Sequence, residues 1–408
     1  MKREQIIEKL ALYGQEHLLR YEDELSEKEK EAFYQQIMDT DFDLLKKLGQ
    51  KEEEKKERNI EGLDCLEADA IKAKEDIYRN KGLDAIRNGK VGAVLLAGGQ
   101  GTRLGFDHSK GMFNVGINKT LYIFEQLIRN LMDVTDVAKA YVPFYIMCSD
   151  KNVDEITAFF KEHDNFGYPG DYISFFVQEM APSCDYNGKI YLEEKGKLSL
   201  SPNGNGGWFS SFAKAGLLDD AKGRGVEWLN VFAIDNVLQR IADPVFVGAV
   251  IEEDYVSGGK VVRKANENER VGNLCLEDGK PQIVEYYEMT PELLSMRKPN
   301  GDLVFNFGVI LNYLFRIDKL VDIINTEIPV HVVEKKIPYL DDKGELVKPE
   351  KINGYKFETL VLDMVHLMDD CLPYEVIREK EFAPIKNPTG VDSVESAREL
   401  MKLNGIEL

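Results

Sequence analysis

Histidine and cysteine are scarce in this chain, at five each among 408 residues. The cysteines (Cys65, Cys148, Cys184, Cys275 and Cys371) are odd in number and widely spaced, with no CxxC pair. That pattern argues against a disulfide framework or a thiolate zinc site and points to reduced thiols in a cytosolic setting. The histidines (His17, His108, His163, His331 and His366) form no HxxxH or HxH pair, so they read as surface or hydrogen-bonded residues rather than metal ligands. A GxSxG elbow is absent, which leaves a serine hydrolase without support. No apolar run approaches the length of a membrane span. The opening MKREQIIEKL lacks the apolar core of a signal peptide.

Positive charge is also in deficit: 72 acidic against 52 basic side chains leave a formal charge of -20. Such a surface repels phosphate backbones, so neither nucleic acid nor membrane is expected as a partner. An anionic substrate must then be captured by a local group of lysines and arginines working against the global field. At 408 residues, 43% of them hydrophobic, the chain can bury a large core in two or three structural units.

Residues 1–88 read as a helical segment. Ile6, Ile7, Leu10 and Tyr13, then Leu18 and Leu19, recur at helical spacing. Ser26 with Glu29 predicts a capping box ahead of Phe33, Ile37 and Met38. The run KEEEKKER (51–58) reads as a solvated helix face.

From Val91 the pattern changes. VGAVLLA (91–97), PFYIMCS (143–149), YISFFVQ (172–178) and WLNVFAI (228–234) are short apolar runs suited to strands buried on both faces. Helical stretches lie between them, TLYIFEQLIRNLMD (120–133) and VDEITAFFKEH (153–163). Such alternation predicts a largely parallel α/β sheet with right-handed crossovers. Ligands bind such sheets beyond the carboxyl ends of the strands, which here are Gly98 with Gly99, Ser149, Gln178, and Asp235 with Asn236. Beyond Asp243 the chain reads as shorter strands: GGKVVRK (258–264), VGNLCLEDGKPQIVEYYE (271–288), with a hairpin at Asp278-Gly279, and DLVFNFGVILN (302–312).

The stretch LLAGGQGTRLGFDHSKG (95–111) sits at the first of these strand ends. Its Gly99, Gly101 and Gly105 give GxGxxxG, one residue too long for a dinucleotide fingerprint, and SKG is not the GK[ST] of a Walker loop. Glycines there can simply make a tight turn. With Thr102, Arg103 and Lys110 beside exposed main-chain amides, the loop instead suits a polyphosphate. The second glycine cluster, SPNGNGGWFS (201–210), lets main chain approach a base or a sugar at Asn205, Gly206 and Gly207, or is an ordinary surface loop. Asp235 is either a helix cap or the carboxylate of a Mg²⁺ site. Glu285 and Tyr286 suit sugar hydroxyls or a strand edge, and Lys386 in APIKNPTG suits a second phosphate.

LAGGQGTRLG (96–105) followed by SKGMFNVG (109–116) resembles the signature loop of the UDP-N-acetylhexosamine pyrophosphorylases, a family of UTP-dependent uridylyltransferases. The likeness continues through GKIYLEEKGKLSLSPNGNGGWF, VFAIDNVLQRIADPVFVG, VEYYE, EKKIPYLD and YEVIREKEFAPIKN. It implies a Rossmann-like nucleotide-diphospho-sugar transferase (GT-A-like) fold, a central mixed sheet flanked by helices. That domain spans 89–390, after the helical segment and before a short helical tail at 391–408. It also implies UTP and a sugar 1-phosphate as substrates, a UDP-sugar and pyrophosphate as products, Mg²⁺ as cofactor, and a monomer or homodimer. By the resemblance Arg103, Lys110 and Lys386 are catalytic. Leu96, Ala97, Gly98, Gly99, Gln100, Gly101, Thr102, Gln178, Asn205, Gly206, Gly207 and Asp235 bind the nucleotide, and Asp235 also holds the metal. Asn236, Gly272, Glu285, Asn306, Val309, Leu360 and Leu362 face the sugar.

The chain departs from the family pattern at three places. NFGV (306–309) stands where the family has Asn-Ala-Gly-Asn, LVLD (360–363) where it has Phe-Val-Phe-Asp, and Ser109 where it has proline. The main expectation is N-acetylglucosamine 1-phosphate; Val309, Leu360 and Leu362 make glucose 1-phosphate its rival. Relatives are expected to carry a further C-terminal segment, and together with the altered sugar pocket this makes a non-catalytic nucleotide-sugar sensor the reading from another class. An NAD-dependent oxidoreductase is disfavoured by the loop spacing.

Overall fold

A computed structural model describes residues 3–48, 59–324, 326 and 328–408. The KEEEKKER run lies outside the described residues. The chain divides into two units, one formed by Met1–Glu57, Glu179–Gly207 and Ile328–Val361, the other by Arg58–Gln178, Trp208–Glu327 and Leu362–Leu408. This division differs from the one at residue 88, because the helices read there as one segment bury their apolar faces in different cores.

In the first unit, helices α1 (Arg3–Leu12) and α2 (Glu27–Asp39) share a core with later chain. Ile6, Leu10, Phe33 and Ile37 pack with Ile190, Leu192, Leu198 and Phe357. The expected capping box is present: Ser26 Oγ accepts from the Glu29 N–H, and Glu29 accepts from the Ser26 N–H at 2.8 Å. A small antiparallel sheet runs in the order His331–Lys335, Gly354–Glu358, Cys184–Asp185.

The second unit is built on a ten-stranded sheet. Its strands are β1 (Ile60–Gly62), β2 (Val91–Leu96), β3 (Phe144–Cys148), β4 (Ile173–Val177), β5 (Trp228–Ala233), β6 (Ser257–Arg263), β7 (Asn273–Glu277), β8 (Lys280–Val284), β9 (Phe307–Arg316) and β10 (Leu372–Glu375). β5, β2, β3 and β4 lie side by side in parallel, as the buried apolar runs predict. β9 joins β5 antiparallel, which makes the sheet mixed. β7 and β8 form the expected hairpin; Glu277 pairs with Lys280, and Asp278 and Gly279 both take positive φ, so the turn has two residues.

β1 corrects the expectation of helix throughout 1–88. Ile60–Gly62 pairs antiparallel with Glu277–Cys275 of β7, and three residues are too few to display a period of two. Helix α3 (Glu75–Arg87) also belongs to this unit, against helix α4 (Pro244–Glu252). The two cross closely enough that a Cβ on Gly82 would overlap the Pro244 carbonyl, and one on Gly248 the Tyr78 carbonyl. The tail forms helix α5 (Val394–Leu403), whose Val394, Ala397 and Met401 are buried in the same core. Among the described residues no helix is long and apolar enough to cross a membrane.

Candidate active site

The chain runs from β2 to β3 and β4 on one side, while β5 lies on the other, so the strand order reverses between β2 and β5. A crevice opens at the carboxyl ends of such a pair. Gly98 and Gly99 follow β2, and Asp235 follows β5; the register pairs Leu96 with Ala233.

After Ala97 the main chain folds into a tight double turn. The Gly101 N–H donates to the His108 carbonyl at 2.9 Å, the Lys110 N–H to the Gly99 carbonyl at 3.2 Å, and Gly105 takes φ +68. These bonds return Lys110 to the mouth of the loop. Gly99, Gln100, Thr102 and Arg103 are exposed. The Arg103 guanidinium has no ion-pair or hydrogen-bond partner among the described residues.

Four charges meet here. Burial holds the Lys110 ammonium below the ordinary lysine pKa. Asp235 opposes that shift, while Arg103 and Lys386 add to it. One ammonium thus feels a carboxylate and two further cations at the end of β5. The Asp235 side chain accepts no hydrogen bond from the described residues, and its main-chain carbonyl accepts from the Ile385 N–H at 2.9 Å. Lys386 follows directly and also pairs with Asp392 at 3.1 Å.

Gln178, at the end of β4, is buried, and its Oε1 lies 3.0 Å from where a Cβ on Gly98 would stand. Elsewhere in the sheet unit, a Cβ on Gly272 would meet Ile283 Cγ2 at 2.9 Å, and Glu285 Oε1 and Val309 Cγ2, each at 3.4 Å. Gly272, Glu285 and Val309 therefore form one wall. Burial raises the Glu285 carboxyl above the usual range, Glu288 adds to the rise, and Lys386 opposes it. Asn306 is buried in the same region; its carbonyl accepts from the Lys264 N–H at 2.7 Å.

Asn236 is placed differently from its neighbours. It is buried, its Nδ2 donates to the Glu381 carbonyl at 2.7 Å, and its Oδ1 accepts from the Ala383 N–H at 2.9 Å. Both ends of the amide are engaged by main chain.

In the other unit, Asn205, Gly206 and Gly207 lie on a loop bonded to residues 359–361. The Gly206 N–H donates to the Thr359 carbonyl at 2.9 Å and Asn205 Oδ1 accepts from the Val361 N–H at 2.9 Å. A Cβ on Gly206 would strike the Leu360 main chain at 2.6 Å. The close approach that glycine permits here is made by the chain itself. Leu360 and, in the sheet unit, Leu362 are half-buried.

Several buried amides that shape the site escaped the sequence reading. Asn152 accepts from the Ser149 N–H at 2.7 Å and donates to the Ala97 carbonyl at 3.3 Å, tying the ends of β2 and β3. Asn230 donates to Asn312 at 2.8 Å and accepts from the Ala242 N–H at 2.8 Å. Gln239 donates to the Ala233 carbonyl at 2.6 Å. The last two fix the loop that carries Asp235. A lone asparagine inside WLNVFAI was the available signal.

A central mixed sheet flanked by helices, with a glycine loop at its switch point, is the architecture of the nucleotidyltransferases. Residues 38–404 match the family described as UTP–glucose-1-phosphate uridylyltransferase. A mouse UDP-N-acetylhexosamine pyrophosphorylase-like protein 1 is 36% identical, across 93% of this chain and 79% of that one. The UDP-N-acetylglucosamine pyrophosphorylase of Saccharomyces cerevisiae is 37% identical, across 80% and 71%. The crystal structure of the uridine diphosphate N-acetylglucosamine pyrophosphorylase of Trypanosoma brucei superposes with a TM-score of 0.84 at 27% identity, covering 98% of this chain and 84% of that one. The chain belongs to the UTP–glucose-1-phosphate uridylyltransferase family, and its fold is that of the UDP-sugar pyrophosphorylases.

Proposed function

We propose that this chain joins UTP to a sugar 1-phosphate, N-acetylglucosamine 1-phosphate first among them, to give a UDP-sugar and pyrophosphate. The observation that carries the reading is the glycine loop at the end of β2, which returns Lys110 to its mouth and places its half-buried ammonium within electrostatic reach of Asp235, Arg103 and Lys386. A phosphate oxygen of the sugar phosphate attacks the α-phosphorus of UTP. The bond from that phosphorus to the bridging oxygen breaks, and pyrophosphate departs with the electron pair. The nucleophile is already an anion at neutral pH, so no general base is needed. Repulsion between two polyanions is the obstacle, and three converging cations reduce it. The unpartnered Arg103 guanidinium suits this work, since it is not already neutralised. The main-chain amides of 98–100 hold the triphosphate for in-line attack, and Gln178 contacts the base. The wall of Gly272, Glu285, Asn306 and Val309 takes the sugar.

Asp235 fits a Mg²⁺ site of the kind completed by substrate. The carboxylate accepts no bond within the described residues, where no group of three acidic, histidine or cysteine side chains is assembled for a metal. A Mg²⁺ held by one carboxylate, waters and substrate phosphates matches that donor set. Bound there, it would offset phosphate charge.

Glucose 1-phosphate is the second reading, favoured by the aliphatic Val309 in the sugar wall and by Leu360 and Leu362. Incubation with UTP, Mg²⁺ and the 1-phosphates of N-acetylglucosamine, N-acetylgalactosamine and glucose tests both, and pyrophosphate release is expected. No release with any of them, with UDP-sugar binding but no isotope exchange into UTP, would overturn the reading in favour of a sensor.

A further inference from the structure

We propose that Asn236 is a positioning residue, whose side-chain amide pins the segment 381–386 along the loop after β5 and so sets Lys386 beside Asp235. This rests on the uridylyl-transfer reading. Asn236 and Pro384 are bridge partners in an antiparallel pairing. The missing N–H of Pro384 costs this pairing nothing, because the residues on either side of it make the main-chain bonds; one of them, from the Val237 N–H to the Ala383 carbonyl, is long at 3.4 Å. The Asn236 side chain adds two shorter bonds to this pairing, donating to the Glu381 carbonyl at 2.7 Å and accepting from the Ala383 N–H at 2.9 Å. One residue past the proline, the Ile385 N–H reaches the Asp235 carbonyl at 2.9 Å, and Lys386 comes next.

The far end of the segment is anchored in the core. Glu381 accepts from Lys260 Nζ at 2.6 Å, and Lys260 is fully buried. Lys260 also donates to the Arg240 carbonyl at 3.1 Å and lies 3.6 Å from Asp243. The segment leading to Lys386 is thereby anchored at residues 381 and 383, by the buried ion pair and by the amide of the residue next to Asp235, while the Lys386 N–H donates to the Asp392 carbonyl at 2.7 Å on its other side.

A double-mutant cycle tests this. Asn236→Ala is expected to lower kcat about 10- to 100-fold in the wild-type background, the scale of a misplaced catalytic group. In a Lys386→Ala background the same change is expected to cost less than about threefold, because its effect travels through Lys386. Equal losses in the two backgrounds would overturn the proposal. If Asn236→Ala does not fold, the pair Lys260→Met with Glu381→Gln loosens the far anchor without stranding a charge, and the same dependence on Lys386 is expected. Running the cycle on pyrophosphate affinity by calorimetry decides the matter independently of turnover. A wild-type protein with no turnover would count against the reaction, whereas an additive cycle counts against the role of Asn236.

Discussion

Gln178 Oε1 lies 3.0 Å from the point a Cβ on Gly98 would occupy, and the Ser149 amide nitrogen lies 3.7 Å from it. The end of β4 is thus packed directly against the glycine loop. Gly98→Ala should fold, because only the end of a flexible side chain has to yield, but it displaces the amide assigned to the base. The expected result is a KM for UTP raised about tenfold with a smaller change in kcat. Gly99 provides the contrast: a Cβ there meets nothing within 4 Å. Gly99→Ala should keep the melting temperature of the wild type and still weaken UTP binding, since the methyl occupies the phosphate's space. Wild-type affinity in Gly99→Ala, measured by calorimetry, would remove the loop from the phosphate site.

Lys110 supplies a pH test. Burial, Arg103 and Lys386 all lower its pKa, and Asp235 opposes them. A lowered ammonium loses its proton as pH rises through a range beneath that of an ordinary lysine. If charged Lys110 is required, the alkaline limb of kcat/KM should begin below the usual lysine range. Arg103→Ala removes one repelling cation, so the residual activity should show that limb moved to higher pH. A limb unmoved by Arg103→Ala, checked against a nitrogen-15 titration of the Lys110 ammonium, would separate the lysine from the profile.

β2, β3 and β5 were legible because they are buried on both faces and therefore written as unbroken apolar runs; β4, at the edge of the sheet, is mostly half-buried with Val177 exposed, so its run overstates its burial. Reading the residues after those runs placed Gly98, Gln178 and Asp235 at one sheet edge, as β2, β4 and β5 bear out. Three kinds of feature were not legible. β1 is too short to show a period, and its partner, β7, lies some 200 residues away. The grouping of 179–207 and 328–361 with the first 57 residues rests on tertiary burial, such as Ile6 and Phe33 with Leu198 and Phe357, which local pattern does not encode. Asn152, Asn230 and Asn312 are single amides whose partners are main-chain or amide groups of other elements. Asn236 shows the limit best: beside Asp235, the carboxylate proposed for Mg²⁺, it reads as a ligand contact, yet its amide is spent on residues 381 and 383.

The crossing of α3 and α4 gives a stability test remote from the chemistry. The Gly248 position faces the Tyr78 carbonyl, and Gly82 faces the Pro244 carbonyl, in both cases closer than a methyl allows. Main chain cannot swing aside as a side chain can, so Gly248→Ala must push the helices apart. The overpacking is expected to cost about 1–3 kcal/mol, outweighing the ~1 kcal/mol that alanine gains over glycine in a helix. Denaturant melts should show a lower midpoint; an unchanged or raised midpoint would mean the crossing is not close. Because the contact lies away from Arg103, Lys110 and Asp235, kcat at low temperature should stay near the wild-type value.

Sugar choice is the remaining test, and it turns on the wall beside Gly272. Val309 Cγ2 and Glu285 Oε1 stand equally far from the Gly272 Cβ position, so a sugar against Glu285 also meets position 309. An aliphatic side chain there offers no hydrogen bond to an N-acetyl amide, and the half-buried site provides little water as a substitute. Val309→Asn restores an amide of nearly the same volume. It should raise kcat/KM for N-acetylglucosamine 1-phosphate relative to glucose 1-phosphate by about tenfold, the scale of one hydrogen bond gained in a pocket. The same substitution should leave the KM for UTP unchanged, since Gln178 and the glycine loop lie elsewhere on the sheet edge. A ratio that does not move would place the discrimination at Leu362 instead, and Leu362→Phe would then be the change expected to shift it.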